Sequence, residues 1–328
     1  MTAALCARWD AKIVQRGGPT VWAIPPDSIV VGSLDHRLSD VAVVSLTLDG
    51  CAAPVAVTPW LHELHLSRDG VATFAGPIVG VGATSGQLTV AAPDRMRWVM
   101  DRRRTAAAQG DAASVVRQLV EQADAQGRVG LDVHAAPQST PYTSTNILIG
   151  SDIESSDARW TARAGILQVG AAPFASPGVT LTEDDWDEPP AVFVDGLGYA
   201  STIIGDTTYH VSPGMWGERA ATLSQGDPRA DYLARSTTWA DTGETNGRGP
   251  RRLLSSNATD GDAAISLRSG VELGDWDAWR PGAAVRVDVD TRAGITLAGP
   301  CEITALHVGI TQGGHEGAFS VDAATVSV

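Results

Sequence analysis

The residue pattern is typical of a mainly β protein with α additions, an α+β chain in which β modules lie on both sides of a helical segment. The 35 glycines and 18 prolines indicate many turns, and therefore many short strands. Apolar and polar residues alternate near both ends, while one central stretch has a helical period. At 328 residues the chain is long enough for two or three domains, at about 100–200 residues each.

Residues 1–93 are predicted to form the first β module. In one of its stretches every second residue is apolar and should face a core: Ala42, Val44, Leu46 and Leu48. Asp69-Gly70 and Ser85-Gly86 each separate two alternating runs, and such pairs supply the positive φ of a tight hairpin turn. Antiparallel strands with one apolar face favour a small barrel or a sandwich.

At Pro93 the period changes from two to that of a helix. Pro93-Asp94 is a typical helix start, and Met96, Val99 and Met100 follow at helical spacing. We therefore predict a helix-containing α/β domain over residues 94–187.

The clearest helix of the chain lies within this domain. Asp111 is its predicted N-cap and Gly127 its stop. Its apolar stripe consists of Ala112, Val115, Val116, Leu119, Val120 and Ala123. Weak strands are expected after it, at NILIG (146–150), GILQVG (165–170) and GVTLTEDDW (178–186).

Residues 188–328 are predicted to form a second β module, interrupted by an irregular insertion at about 213–269. Arg280-Pro281-Gly282 should form a turn before a strand in which valines alternate with charged residues. Gln312–His315 is the expected turn of a closing hairpin. The two β modules thus bracket the chain.

Charge and composition exclude several kinds of protein. The net charge is −14 and Lys12 is the only lysine, so the chain should repel nucleic acid, whose binding requires cations at the phosphates. No run approaches 18 apolar residues, and the N-terminus lacks a signal-peptide pattern. Cys6, Cys51 and Cys301 lack metal-ligand spacing and are expected to be free, buried thiols.

No motif predicts a catalytic, cofactor-binding or metal-ligating residue. The HELH stretch, His62–His65, lacks the i, i+4 histidine spacing of a zinc helix, so a surface strand is favoured over a metal site. Carboxylates clustered in a short strip offer oxygen ligands for Ca²⁺, but without the glycine of an EF-hand loop a solvated turn is favoured. That strip contains Glu183, Asp184, Asp185, Asp187 and Glu188.

Two further features leave a carbohydrate-directed role open. Asp260–Ala264 (DGDAA) and VDVDT (287–291) contain acids that would suffice for a glycosidase if they formed a pair. The ten tryptophans are more often core and interface anchors than sugar platforms. Trp276 and Trp279, which neighbour Asp275 and Asp277, are the first place to look for carbohydrate contact.

Two segments carry a family resemblance. ATFAGPIVGVGATSGQLTVAAPDRMRWVMDRRR (72–104), followed by DAASVVRQLVEQA (111–123), resembles the minor tail or baseplate-hub proteins of long-tailed, siphovirus-type phages of actinobacteria. RPGAAVRVDV (280–289) and GPCEITALHVGITQGGHEGAFSV (299–321) resemble the second barrel of the same hubs. The resemblance covers about half of the chain, at its two ends.

The resemblance implies a phage tail-hub architecture, with two tail-tube-like β-barrels plus an α/β insert. Three copies would present six barrels in a homotrimeric ring, which matches a hexameric tail tube. The ring would join a distal tail or tail-tube protein on one face to tip or fibre proteins on the other. Phage DNA would pass through it without specific binding, along an acidic wall to which three chains bring 3 × −14 = −42 charges.

The implied protein is a structural virion component of the phage tail tip, assembled in the host cytoplasm. It is not an enzyme, needs no cofactor and does not insert into a membrane. The alternative is a baseplate component that binds or hydrolyses cell-envelope glycans. A bacterial relative in a contractile injection apparatus would have the same architecture.

Overall fold

The computed structural model describes most of the chain outside the region between residues 195 and 260. The described residues are 7–49, 56–138, 141–170, 174–186, 191–195, 202–205, 222–224, 236–239, 260–268, 271, 273–290 and 296–325. Contacts divide the chain into two compact units. The first contains residues 1–191 and 263–323, and the second contains residues 192–262 and 324–328.

Strands dominate the described residues, and helices are few. The strands before the first helix are β1 (Trp9–Gln15), β2 (Thr20–Ile24), β3 (Ile29–Arg37), β4 (Val43–Asp49), β5 (His62–Arg68), β6 (Val71–Pro77), β7 (Gly80–Thr84) and β8 (Gln87–Pro93). The central elements are α1 (Met96–Met100), β9 (Gln109–Asp111), α2 (Ala112–Ala125), β10 (Asp132–Ala135), β11 (Pro141–Thr143), α3 (Ile149–Ser155), β12 (Trp160–Arg163), β13 (Ile166–Val169) and β14 (Thr180–Leu181). The remaining strands are β15 (Ala191–Asp195), β16 (Thr202–Gly205), β17 (Thr222–Ser224), β18 (Ser236–Trp239), β19 (Asp260–Leu267), β20 (Ala284–Asp290), β21 (Thr296–Thr311) and β22 (His315–Thr325).

The N-terminal and C-terminal strands of the first unit share one large sheet. Its order is β19-β22-β21-β3-β4-β8-β7, and β20 pairs with β21 off this path. The antiparallel pairing of β3 with β21 extends from Gly32 opposite Ile310 to Arg37 opposite Ala305. Two segments almost the whole chain apart in sequence are therefore neighbours in one sheet.

A second sheet of the first unit has the order β2-β1-β5-β6. The pairings of the described strands leave both sheets open, and among these residues we find no closed barrel. In the second unit, β16 pairs with β17 antiparallel and with β18 parallel.

The predicted pattern of the first β module is confirmed. Each member of the alternating apolar set on and beside β4 is buried: Ala42, Val44, Leu46 and Leu48. The Asp69-Gly70 turn joins β5 to β6, and both of its residues have positive φ, 48° and 81°. Gly86, with φ of 93°, forms the turn between β7 and β8. Local turn chemistry therefore sets these hairpins.

Helix α2 also agrees with the sequence pattern. The Asp111 carboxylate accepts a hydrogen bond from the Ser114 backbone N–H at 3.2 Å, as an N-cap does. Gly127, with φ of 151°, follows the end of the helix. The stripe of α2 is buried against α1, α3 and the β10-β13-β12 sheet, where Trp160 and Leu167 complete the core.

The strand predicted at NILIG is wrong, because residues 149 and 150 begin helix α3. Asp152, fully buried in α3, accepts hydrogen bonds from the backbone N–H groups of Thr145 and Asn146 at 2.8 and 2.9 Å. Arg104 lies 3.3 Å from the same carboxylate. The local hydrogen bonds to Thr145 and Asn146, together with the distant Arg104, hold the chain in a helix where an apolar run predicted a strand.

Two backbone segments meet closely where the β2-β1-β5-β6 sheet, called the small sheet below, adjoins the start of α1. A Cβ atom on Gly76 of β6 would lie 1.8 Å from the Pro93 carbonyl oxygen and 2.7 Å from the Asp94 Cα atom. Only glycine permits this approach, because the atoms it meets belong to the backbone. Gly76 thereby sets how β6 packs on the junction between β8 and α1.

We predict that Gly76→Ala lowers the stability of the protein by about 3 kcal/mol, because the added methyl group forces two backbone segments apart. Gly82→Ala on β7 is the matched control. Its Cβ would meet only the Thr89 Cβ, at 4.0 Å, so an effect within about 0.5 kcal/mol is expected. Urea unfolding followed by circular dichroism measures both variants. Equal midpoints for the two would contradict the close approach.

Candidate functional site

An ion pair joins strand β5 to strand β22, and its arginine also stacks on a tryptophan ring. Arg68 of β5 donates two hydrogen bonds to the Glu316 carboxylate of β22, from Nε at 2.6 Å and from Nη2 at 2.9 Å. The Trp9 indole N–H donates to the same carboxylate at 3.2 Å. The Arg68 guanidinium also lies 4.3 Å above the Trp276 ring. Because both charged side chains are largely buried, this bidentate pair is well placed to hold the chain ends together.

Trp276 and Trp279 are core anchors. Trp276 is 7% exposed and donates its indole N–H to Thr73 Oγ1 at 3.1 Å, and Trp279 is fully buried. Both rings meet the Phe319 ring edge-on, with centroids 5.7 and 5.5 Å apart. These contacts agree with the core interpretation of the tryptophans. They leave no exposed ring face here on which a sugar would stack.

The HELH stretch forms strand β5, as the sequence indicates, but the strand is not on the surface. His62 and Glu63 are both buried. His62 Nδ1 accepts the Thr58 backbone N–H at 2.9 Å. Glu63 is 2.9 Å from His65 Nε2 and 2.7 Å from Arg95 Nη2. Burial alone would raise the pKa of Glu63, but the hydrogen bonds from His65 and Arg95 outweigh it and hold this pKa below its usual value.

The described part of the acidic strip forms a turn. Asp185 accepts hydrogen bonds from the Thr182 N–H and hydroxyl at 2.8 and 3.1 Å, and Glu183 and Asp184 are exposed. Asp187 and Glu188 lie outside the described residues. In the part of the chain that the structure covers, no group of three His, Cys, Asp or Glu side chains is placed to hold a metal ion.

The other sequence candidates are only partly described. The side chains of Asp260, Asp262 and Asp290 fall outside the described set, while Asp288 faces Arg286 at 3.3 Å. Cys6 and Cys51 also lie outside it. Cys301 is a buried free thiol, and burial raises its pKa to about 11.

No helix in the described ranges has the length and apolar character needed to cross a bilayer.

An apolar groove lies between the β4-β8 part of the large sheet and helices α1 and α3. Its cavity of about 610 Å³ is lined by apolar side chains that include Val43, Trp60 and Leu148. These three side chains are 45–49% exposed, which is unusual for large apolar residues so close together. The charged residues at the groove are Asp40, Arg97, Asp101 and Glu154.

The backbone conformation of Trp60 and one backbone hydrogen bond fix the position of this residue at the groove. Its φ is 64°, a left-handed conformation that bulky residues rarely adopt, and its N–H donates to the Ile78 carbonyl at 2.8 Å. Strained, exposed residues of this kind are typical of functional surfaces. This surface was not predictable from the sequence, because its residues come from segments far apart in the chain.

A buried carboxyl group lies beside the groove. Asp94 accepts hydrogen bonds from the backbone N–H groups of Ala42 and Met96, at 2.9 and 2.8 Å, and so fixes the start of α1 against the β3-β4 connection. Burial raises its pKa to about 7, although the two N–H donors act in the opposite direction. Asp94 therefore carries its proton through much of the acidic pH range.

Solved structures that resemble this chain come from phage tails and a secretion apparatus. The 43 kDa tail protein of prophage MuSo2 from Shewanella oneidensis matches with a TM-score of 0.66 and 12% identity, over 97% of this chain and 98% of that one. The tail protein from Neisseria meningitidis MC58 gives 0.67 and 12%, over 97% of each chain. The chain has the fold of phage tail proteins.

A third structure extends this likeness to a bacterial secretion system. The E. coli c3393 protein is a component of the type VI secretion system with structural similarity to the T4 tail proteins gp27 and gp5. It matches with a TM-score of 0.50 and 11% identity, over 90% of this chain and 73% of that one. No family model and no curated protein matches the sequence.

We predict a coupling free energy of about 1–3 kcal/mol between Arg68 and Glu316. Arg68→Gln, Glu316→Gln and the double variant form the cycle, measured by urea unfolding. Each single change leaves a largely buried charge without its partner, so the double variant should lose less than the sum of the two. The exposed Arg286–Asp288 pair is the control and should couple by less than about 0.5 kcal/mol. Additive losses at Arg68 and Glu316 would contradict the coupling.

We predict that Asp94→Asn changes how stability depends on pH. With a pKa of about 7 in the folded protein and an ordinary value of 3.8 in the unfolded chain, Asp94 stabilises the fold fully below pH 3.8, and this contribution is lost as the pH rises through 7. The amide does not titrate. The free-energy difference between wild type and Asp94→Asn should therefore move by about 3 kcal/mol in favour of the variant from pH 5 to pH 8.

Chemical unfolding at the two pH values measures this shift, and Asp10→Asn on the exposed face of β1 is the carboxyl-to-amide control. A difference that stays constant between pH 5 and pH 8 would mean that Asp94 is ionised throughout.

Proposed function

We propose that this chain is a non-enzymatic structural component of a phage tail, a tail-hub protein of the tail tip. The main support for this proposal is the fold match over 97% of the chain to two tail proteins, each of which is itself covered almost completely. Such mutual coverage means that the likeness extends along almost the full length of each chain and is not confined to one common module. The likeness to c3393 supports a hub over other tail positions, because that protein is described as similar to gp27 and gp5.

In this proposal each chain supplies two tail-tube-like barrels, at residues 1–93 and 188–328, with the α/β domain at 94–187 between them. The β3–β21 pairing would be the seam between the two modules. Three chains would then form a ring with six modules, suited to a hexameric tube. The ring would contact a distal tail or tail-tube protein on one face and tip or fibre proteins on the other.

The net charge of −14 per chain supports a place in the DNA conduit. Acidic side chains on the lumen would offer DNA no cations on which to stop. We propose that the chain is assembled in the host cytoplasm and ends in the virion, in a phage of actinobacteria as the N-terminal and C-terminal motifs suggest. A hub in a bacterial contractile injection apparatus is the second candidate, favoured by the type VI neighbour.

The apolar groove is the surface that we expect a neighbouring protomer to cover. Its exposed valine, leucine and tryptophan side chains would gain from burial, at about 25 cal/mol per Å² of apolar surface. The charged residues at the groove would then set the register of the contact.

We predict that the purified chain forms a trimer of about 102 kDa, three times the 34.1 kDa of one chain. Val43→Ser and Trp60→Ser should shift the population toward monomer, because each removes apolar surface from the groove. Val31→Ser is the matched control, since Val31 is 53% exposed on neighbouring β3 but does not line the groove. Light scattering after gel filtration measures the molar mass of each variant in solution. A monomer that cleaves cell-wall glycan would overturn the proposal.

A further inference from the structure

A second cavity of the first unit is lined by four arginines. This arginine pocket, of about 610 Å³, contains Arg16, Arg95, Arg102 and Arg128, and Glu63 is its one carboxylate. Four positive charges and one negative charge leave a formal charge of +3. In a chain with a net charge of −14, this is a local reversal of sign. The volume is within the range of small-molecule sites, about 300–1,000 Å³.

The guanidinium groups of Arg16 and Arg102 are held in place by neutral partners. Arg16 lies 3.9 Å above the Trp98 ring and donates from Nη2 to the Arg128 carbonyl at 2.7 Å. Arg102 donates from Nε to the Trp98 carbonyl at 3.3 Å. Aromatic faces and backbone carbonyls orient these side chains without cancelling their charge.

Glu63 neutralises only one of the four arginines. Arg95 donates to it at 2.7 Å and to the Gly130 carbonyl at 2.7 Å. Among the described residues, Arg16, Arg102 and Arg128 form no ion pair, and both Nη groups of Arg102 lack an acceptor. Their remaining N–H donors are therefore available to a ligand.

The acidic neighbour of the pocket is already engaged. Asp124, near the end of α2, accepts the backbone N–H groups of Val129 and Gly130 at 2.8 and 3.3 Å. These two hydrogen bonds lower its pKa, and the nearby Arg128 and Arg102 lower it further. Counting Asp124 as well, the region still carries a formal charge of +2.

Glycines make room for the guanidinium groups. A Cβ on Gly127 would lie 3.3 Å from Arg102 Nη1, and one on Gly130 would lie 3.1 Å from Arg95 Nη1. Both glycines have positive φ, 151° and 72°, so the loop after α2 adopts a path that other residues would resist. The loop, the β1-β2 turn and the start of α1 thus converge on one basic cavity.

We propose that the arginine pocket binds a small polyanion that carries two or more phosphate or carboxylate groups. Guanidinium groups match both oxyanions with two parallel hydrogen bonds, and several of them fixed around one cavity suit a ligand with more than one such group. The proposal goes beyond the tail role and does not depend on it, since binding is measured on the purified chain in whatever assembly it forms.

Isothermal titration calorimetry tests the proposal with tripolyphosphate in one arm and citrate in the other, against sodium chloride at equal ionic strength. Saturable binding of one equivalent per chain is expected for at least one probe, and the tighter probe identifies phosphate or carboxylate as the preferred group. Arg102→Gln and Arg128→Gln should each weaken binding by roughly tenfold or more.

Arg117→Gln is the matched control, because Arg117 is exposed on α2 outside the pocket. It should bind as wild type does. Arg16→Lys keeps the charge but loses the fork geometry, and should bind more weakly than wild type while melting at a similar temperature. The proposal is overturned if neither probe binds beyond the chloride blank, or if Arg117→Gln weakens binding as much as Arg102→Gln.

Discussion

The close approach of Gly76 to Pro93 and Asp94 is the constraint on which both surface features of the first unit depend. At this point β6 of the small sheet meets the end of β8 in the large sheet, and the chain turns into α1. Residues at this junction belong to different surfaces: Pro93 and Arg97 line the apolar groove, and Arg95 lines the arginine pocket. A small shift of this junction would change both surfaces together, since packed interiors transmit displacement.

Buried polar groups reinforce the same junction. Asp94 ties the start of α1 to Ala42, and Arg95 ties it to Glu63 on β5. Further away, Arg68 and Glu316 connect the small sheet to β22. The polar contacts thus occur where separate sheets and helices meet, and the apolar alternation fills the layers between them. Such a division is expected when each polar group must be satisfied as it is buried.

Local structure was predictable from the sequence, and long-range structure was not. The α2 stripe, its Asp111 cap and the Asp69-Gly70 turn depend on residues a few positions apart, so period and turn chemistry suffice. The helix α3 was missed because the carboxylate of Asp152 is buried within it and faces Arg104 from a distant segment, which the apolar run at this position does not reveal. The β3–β21 pairing has no local signal at all.

The surface features were also hidden from sequence analysis, for a related reason. The arginine pocket draws on segments between residues 16 and 130. The groove likewise draws on segments between residues 40 and 154. Neither the exposure of Trp60 nor the isolation of Arg102 from acidic partners follows from a residue's neighbours in the chain.

The β3–β21 pairing has a consequence for biosynthesis. When β3 leaves the ribosome, its partner segment Ala305–Ile310 has not yet been translated. One edge of the nascent sheet therefore stays unpaired while the chain between β3 and β21 is translated, at about 5–20 residues per second. Bare strand edges invite association between growing chains, so neighbouring ribosomes on one messenger would bring such edges together in high local concentration. Completion of the native sheet is thereby coupled to the translation of β21.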